Sequence, residues 1–155
     1  GALVLMAAYF LIWGRHMNRK FSAASTAAGK EGPMSINLAV WEGPRPASDA
    51  DALKAFESLY ARYIDTDFKA APSERISAYA AALLARYPDL TELDDNCIDD
   101  SPWSDGPLIG NAGGPFIYFG FVPSGVEKGA WTFAVEMARE HGLVCFDPQS
   151  DAMAY

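Results

Sequence analysis

The first half of the hydrophobic pattern predicts a strand followed by two helices. A short apolar run, Ile36 to Trp41, ends at a Glu-Gly-Pro sequence, which is typical of a strand that enters a turn. Apolar residues at helical spacing then follow Ser48 and Asp49, either of which can cap a helix by accepting a hydrogen bond from a free backbone N–H. A second apolar stripe opens at Pro72 and stops at Pro88, which cannot continue a helix. The short connection between the two helices predicts an antiparallel hairpin.

The second half of the pattern predicts a strand, a helix and a closing strand. The segment Phe116 to Val122 is apolar on both alternating faces, which is typical of a central strand covered on both sides. Ser124 and Glu127 match a capping box at the start of the next helix. Gly142 suits the left-handed residue that follows a helix, and Leu143 to Phe146 then predicts the last strand.

These elements predict an α+β fold in the order β-α-α-(β)-β-α-β, in which the bracketed strand is Leu108 to Asn111. The short loops of the last strand–helix–strand unit favour two parallel strands with a right-handed crossover. We therefore expect a small mixed sheet with helices packed mainly on one face. The predicted domain spans residues 34–150, and residues 151–155 are predicted to be a tail.

Residues 1–33 differ from the rest of the chain. They begin with an unbroken apolar run of 11 residues, Leu3 to Trp13, which is followed by basic residues and by a linker rich in Ala, Ser and Gly. A membrane-spanning helix needs roughly 20 apolar residues, so this run is too short to span alone. Three interpretations stay open: the end of a transmembrane helix that tethers a cytoplasmic domain, the core of a signal peptide, or a mis-assigned start upstream of Met34. Membrane contact is expected only if residues 1–20 are genuine.

Charge divides the chain at the same place. The protein has 12 Lys and Arg against 20 Asp and Glu, a net charge of −8. Residues 1–33 hold four basic residues and one acidic residue, a charge of +3, which leaves −11 for residues 34–155. An acidic domain argues against binding to nucleic acid, because phosphates require a basic face. The only cysteines, Cys97 and Cys145, are too few for a disulfide scaffold and are expected to be reduced thiols of a cytoplasmic domain.

The acidic residues concentrate in the segment Asp89 to Pro107, which has seven Asp and Glu and no Lys or Arg. Its prolines and glycine predict an irregular loop. Clustered charge speeds the encounter with an oppositely charged protein, so we expect this loop to bind a partner with a basic surface. The candidate partner-binding residues are Asp94, Asp95, Asp99, Asp100, Trp103 and Asp105. Trp103 has a second interpretation, in which its ring folds back onto the core instead of anchoring a partner.

The sequence matches none of the catalytic or metal-binding motifs that its residue types suggest. The acidic segment lacks the alternating ligands, central Gly and terminal Glu of an EF-hand loop. The segment Gly110 to Gly114 lacks the Lys and Ser or Thr of a phosphate-binding loop. We therefore expect no cofactor, no bound metal and a function that is not enzymatic. The alternative is a metal-dependent hydrolase that uses the carboxylates between Asp94 and Asp105, since clustered carboxylates suit hard cations.

Two segments resemble a group of small, mostly uncharacterised bacterial proteins. His141 to Gln149 resembles the helix end, glycine, short strand and aromatic-Asp-Pro-Gln sequence that close their domain, and Ser101 to Leu108 resembles their central loop. The likeness spans roughly Met34 to Gln149. Some members of this group look like immunity proteins that neutralise secreted toxins. The resemblance therefore implies a cytoplasmic immunity protein whose acidic loop covers a basic toxin surface.

Overall fold

The computed structural model describes residues 36–155, so the three interpretations of residues 1–33 lie outside the described residues. The described residues form five strands, four helices and three 3-10 turns. In chain order the strands and helices are β1 (Ile36–Trp41), α1 (Asp49–Tyr63), α2 (Glu74–Arg86), β2 (Ala112–Gly113), β3 (Phe116–Phe121), α3 (Pro123–Glu127), α4 (Ala130–Glu140), β4 (Val144–Asp147) and β5 (Ala152–Met153). The 3-10 turns are Leu90–Glu92, Ile98–Asp100 and Leu108–Asn111. The α+β prediction is confirmed.

The sheet has the strand order β2-β3-β1-β4-β5, with β1 at its centre. Each strand pair is antiparallel, where we expected a mixed sheet. The reason is the place of β1, which pairs with β3 from Ile36 opposite Phe121 to Trp41 opposite Phe116, and with β4 along its other edge. Because β3 and β4 both run opposite to β1, they are parallel to each other as predicted, but they are not neighbours.

Helices cover both faces of the sheet. On one face, β1 and β3 bury Leu38, Val40 and Phe119 in a core shared with α2 and α4. On the other face, Phe56 of α1 packs against the rings of Phe116, Tyr118 and Phe146, with centroid distances of 6.2, 5.7 and 5.3 Å. Two of the three long helices thus share a face, and α1 lies alone on the opposite one.

The predicted α1–α2 hairpin is therefore wrong. The connection between these helices passes round the β2 edge of the sheet, where Pro72 forms an isolated bridge with Gly114. The Ser73 N–H donates to the Gly114 carbonyl at 2.8 Å, and a Cβ atom on Gly113 would lie 3.2 Å from the Tyr63 carbonyl oxygen. Both faces of β1 and β3 are apolar, so each face needs its own covering helix, and this requirement separates the two helices.

Side-chain caps begin both α1 and α2, and the cap of α1 lies at a residue that the sequence predicts. Ser48 accepts from the Asp51 N–H at 3.1 Å, and Ser73 accepts from the Ile76 N–H at 3.2 Å. Gly142 follows α4 with a φ of 68°, the left-handed geometry predicted for it. These local signals do not depend on distant contacts, which explains why they are readable in the sequence.

The predicted capping box at Ser124 and Glu127 does not form. Val122 is the N-cap residue of α3, with no side-chain cap, and a left-handed Gly129 with a φ of 93° separates α3 from α4. The short helix α3 packs against the segment around Pro102, which precedes β3. A Cβ atom on Gly125 would lie only 2.6 Å from Pro102. Tertiary packing therefore decides how this helix begins.

Two short segments also differ from the prediction. Leu108–Asn111, expected as a strand, forms a 3-10 turn, and the next two residues form the edge strand β2. Residues 151–155, expected as a tail, contribute β5, in which Met153 lies opposite Phe146. Strands of two residues carry little hydrophobic signal, so neither edge of the sheet is visible in the pattern.

The Asp-Pro-Gln segment that ends β4 completes the pairing of β1. The Gln149 side-chain carbonyl accepts from the Asn37 N–H at 2.7 Å, and its amide donates to the Asn37 carbonyl at 2.8 Å. Asp147 holds this side chain in place by accepting from the backbone N–H of Gln149 at 3.0 Å and from its side-chain amide. The Gln149 side chain thus supplies the two hydrogen bonds that a residue of a neighbouring strand would give to Asn37. Asn37 is only 8% exposed, so its backbone groups need such partners.

We expect Gln149→Ala to lower the free energy of unfolding by about 1–3 kcal/mol, because it leaves the backbone polar groups of Asn37 without these partners. Urea unfolding followed by circular dichroism measures this. The control is Ser150→Ala, which removes an exposed hydrogen bond to Asp147 in the same turn and should change stability by less than about 0.5 kcal/mol. Equal effects of the two substitutions would contradict the role given to Gln149.

Candidate functional site

The acidic loop, Asp89–Pro107, begins just after α2 and is closed at its base by Asp89. This residue is 7% exposed, and its carboxylate accepts from the Thr91 N–H at 3.3 Å and from the Leu108 N–H at 3.1 Å. The two N–H groups lie at opposite ends of the loop, so a single side chain joins those ends. Gly106 allows this approach, since a Cβ atom there would lie 2.8 Å from Asp89 Oδ1.

Trp103 is a core residue and not an exposed partner anchor. Its side chain is 1% exposed, and its ring packs against those of Phe119 and Phe121 with centroid distances of 5.8 and 5.4 Å. The indole N–H lies 3.4 Å from the Tyr87 carbonyl oxygen, to which it donates. The assignment of Trp103 as a partner-binding residue is therefore wrong, and the alternative in which the ring folds back onto the core is confirmed.

The segment around Trp103 also pairs with β3. The Ser104 N–H donates to the Gly120 carbonyl and the Val122 N–H donates to the Pro102 carbonyl, both at 2.9 Å. Ser101, which is 3% exposed, donates from its hydroxyl to the Pro88 carbonyl at 3.2 Å. Residues 101–104 are thus attached to the edge of β3 on one side and to the end of α2 on the other.

The other five candidate residues are on the surface. Asp94, Asp95, Asp99, Asp100 and Asp105 are all exposed. The Asp94 carboxylate accepts from the backbone N–H groups of Asn96 and Cys97, each at 3.1 Å, and Asp105 accepts from the Asn111 side chain at 3.1 Å. Within residues 36–155, none of the five forms an ion pair with a Lys, Arg or His side chain within 4.0 Å. These five carboxylates are therefore exposed and have no described counter-charge.

Two apolar side chains accompany these carboxylates on the surface. Ile98, next to Asp99, is 41% exposed, and Ile109, just beyond the loop, is 38% exposed. Neither isoleucine is predicted to be exposed from the sequence, because a single isoleucine in an irregular segment gives no periodic signal of burial or exposure. Asp89 was also missed, although an Asp side chain commonly accepts from the backbone N–H two residues later in a turn.

Neither cysteine has the features of a nucleophile. A hydrogen bond to the Asp94 carboxylate raises the pKa of the exposed Cys97 thiol. Burial raises the pKa of Cys145, which is 1% exposed. Both groups therefore favour the protonated thiol, which is the less reactive form. His141 lies at the end of α4 with Nδ1 2.9 Å from the Met137 carbonyl oxygen, a contact that belongs to the helix end.

The described carboxylates do not converge on a metal site. In the part of the chain that the structure describes, no group of three or more His, Cys, Asp or Glu side chains is placed to hold a metal ion. The hydrolase alternative requires such a group at Asp94 to Asp105, where the carboxylates instead accept from backbone and amide N–H groups or face solvent. That alternative gains no support from the geometry of residues 36–155.

Comparisons of the chain with protein-family models, with curated proteins and with solved structures found no match. The resemblance to small bacterial proteins therefore stays a prediction based on the two segments that carry it. None of the helices in residues 36–155 has the length and the apolar character that crossing a membrane requires.

We expect Asp89→Ala to lower the free energy of unfolding by about 1–3 kcal/mol, because the N–H groups of Thr91 and Leu108 lose a charged acceptor. Hydrogen exchange at the Leu108 amide should accelerate together with the loss of stability measured in urea. The control is Asp95→Ala, which removes an exposed carboxylate of the same loop and should change stability by less than about 0.5 kcal/mol. Unchanged exchange at Leu108 in Asp89→Ala would show that the carboxylate does not close the loop.

Two glycine-to-alanine substitutions test the packing of the acidic loop against α3. We expect Gly125→Ala to destabilise the protein by about 1–3 kcal/mol, because the new methyl group overlaps Pro102. In Gly110→Ala the methyl group would lie 3.6 Å from Pro107, an ordinary contact, so its effect should be small. Thermal unfolding of the two variants compares them directly, and similar melting temperatures would contradict the close packing at Gly125.

Proposed function

We propose that this chain is a non-enzymatic protein-binding domain whose acidic loop binds a basic surface of another protein, as expected of an immunity protein that neutralises a basic toxin. The observation that carries the proposal is a contrast within one loop. Five aspartates are exposed without a described ion pair, while Asp89, Ser101 and Trp103 of the same loop are buried. The loop therefore presents charge on a support that is attached to the core.

The charge of this loop has no nearby counter-charge in the sequence. From Tyr87 to Glu127, with both residues included, the chain has eight acidic residues and no Lys or Arg. At physiological ionic strength, charges closer than about 8 Å are only partly screened, so neighbouring carboxylates on one loop act together on an approaching cation. Such a field raises association rates with basic proteins and disfavours acidic ones.

The anchoring of the loop also favours binding. Ordering a flexible loop upon association costs free energy that is subtracted from the affinity. Here the loop is already held by the carboxylate of Asp89, by the ring of Trp103 and by the pairing of Ser104 with Gly120. Ile98 and Ile109 add exposed apolar surface, and interfaces commonly combine apolar contacts with a charged rim.

The chemistry of the partner follows from that of the loop. Toxins that cleave nucleic acids need basic surfaces for the phosphates of their substrate. An acidic loop that occupies such a surface replaces the substrate's charge and blocks access to it. No specific observation favours the metal-dependent hydrolase or the membrane-tethered accessory domain, so both stay predictions.

The test compares two variants that remove equal charge. The loop variant replaces four exposed aspartates by asparagine, which keeps the hydrogen-bond acceptors of the loop: Asp94→Asn, Asp95→Asn, Asp99→Asn and Asp100→Asn. The control variant removes four exposed charges elsewhere: Asp65→Asn, Asp67→Asn, Glu136→Gln and Glu140→Gln. Proteins captured by the immobilised full chain at low salt are identified, purified and titrated calorimetrically with the wild-type chain and both variants.

We expect a basic partner whose affinity falls at least about tenfold in the loop variant, falls further with added salt, and changes little in the control variant. The partner's own activity should be inhibited by the wild-type chain and by the control variant. Equal binding by both variants, capture of acidic proteins, or recovery of no partner at low salt would each contradict the proposal.

A further inference from the structure

Asp105 and Gly106 are the one place in the sequence where an Asp or Asn is followed directly by Gly. In such a pair the side-chain carboxyl carbon of the first residue and the backbone nitrogen of the second can close a five-membered ring. Glycine favours this ring closure, because no Cβ atom hinders the approach to its nitrogen and its backbone adopts conformations that other residues avoid. At every other aspartate of the chain the next residue carries a side chain.

The structure exposes this pair in a turn between two fixed points. Before the pair, the Ser104 N–H donates to a carbonyl of β3 at 2.9 Å, and after it the Leu108 N–H donates to the Asp89 carboxylate at 3.1 Å. Asp105 and Gly106 are both exposed and belong to no helix or strand. In the part of the chain that the structure describes, the glycine N–H donates no hydrogen bond. No hydrogen bond therefore has to break before the glycine nitrogen attacks.

The carboxyl group of Asp105 has one bonded and one open oxygen. Oδ1 accepts from the side-chain amide of Asn111 at 3.1 Å. Among the described residues, no group donates to Oδ2 or forms an ion pair with it. The hydrogen bond at Oδ1 draws electron density from the carboxyl carbon, and Oδ2 is the oxygen that can leave.

We propose that Asp105 is a site of self-modification in the folded protein, where attack by the Gly106 nitrogen converts the aspartate to isoaspartate. The nitrogen bonds to Cγ of the protonated carboxyl group, the Cγ–Oδ2 bond breaks, and the N–H proton leaves with the hydroxyl as water. The product is a cyclic succinimide. Water then adds to the main-chain carbonyl carbon of Asp105, the bond from that carbon to the Gly106 nitrogen breaks, and the main chain continues through Cγ.

Isoaspartate changes the length of the turn and keeps its charge. The main chain gains one methylene carbon between the two hydrogen bonds that fix the turn, and the carboxylate moves to the former main-chain carbon. Gly106 has little room to shift toward Asp89, since a Cβ atom on the glycine would lie 2.8 Å from Asp89 Oδ1. We therefore expect the modified protein to exchange the Leu108 amide hydrogen faster than the unmodified protein.

The test follows isoaspartate formation in the full chain during prolonged incubation at neutral pH and physiological temperature. Peptide mass spectrometry with electron-based fragmentation locates the isoaspartate, and methylation by an isoaspartyl methyltransferase measures its amount. The test variant is Asp105→Glu, which keeps the charge but requires a less favourable six-membered ring. The matched control is Asp95→Glu, at an exposed aspartate of the same loop. A synthetic peptide with the sequence of residues 103–109 gives the rate without the fold.

We expect isoaspartate to form at Asp105 at least about tenfold faster than at Asp95, because the rate of ring closure depends on how easily the two groups approach. Asp105→Glu should abolish this signal, and Asp95→Glu should leave it unchanged. The rate in the folded chain should lie within about tenfold of the peptide rate, because a modification that required unfolding would be slowed by the rarity of the unfolded state. Equal formation at the two aspartates, a signal that survives in Asp105→Glu, or a rate below about a tenth of the peptide rate would overturn the proposal.

Discussion

The burial of β1 on both faces and along both edges is the constraint on which the rest of the structure depends. Leu38 and Val40 are fully buried on one face, and Ala39 and Trp41 are buried on the other. A strand of this kind needs a helix on each face and a strand on each side. The chain meets the first requirement by sending α1 and α2 to opposite faces, and the second by placing β3 and β4 on either side of β1. The acidic loop results from this arrangement, because it joins the end of α2 back to the β2–β3 edge.

At two places in the fold, a polar side chain supplies the hydrogen bonds that a neighbouring backbone segment would otherwise supply. Asp89 accepts from the N–H groups of Thr91 and Leu108 where α2 gives way to the acidic loop. Gln149 supplies both a donor and an acceptor to Asn37 where β4 diverges from β1. In each case a polar side chain is close to a buried backbone group that water reaches poorly, so the hydrogen bond removes a penalty as well as adding an attraction. The two residues therefore belong to the architecture, although both lie in segments that the hydrophobic pattern leaves undefined.

Local signals predicted the elements, and non-local contacts decided how they pack. Ile36–Trp41 and the caps at Ser48 and Ser73 are readable because the relevant atoms lie within a few residues of one another. The α1–α2 hairpin was a wrong prediction, because the length of a connection does not reveal that it passes round a sheet edge. The five exposed aspartates were predictable from charge alone, whereas the position of Trp103 was decided by a core pocket formed by Phe119, Phe121 and Tyr87.

Repulsion between its carboxylates opposes the order of the acidic loop. Two carboxylates about 4 Å apart repel each other by roughly 1 kcal/mol in water, and adjacent pairs such as Asp94–Asp95 and Asp99–Asp100 have no described cation beside them. Repulsion of this kind favours an extended, variable loop, but Asp89 and Trp103 fasten its ends to the core. The buried anchors therefore attach this charged segment to the core. In the function that we propose, a basic surface approaching the loop would replace repulsion with attraction and would meet carboxylates that the core already supports. That would be the physical advantage of combining a buried tryptophan with exposed aspartates in one loop.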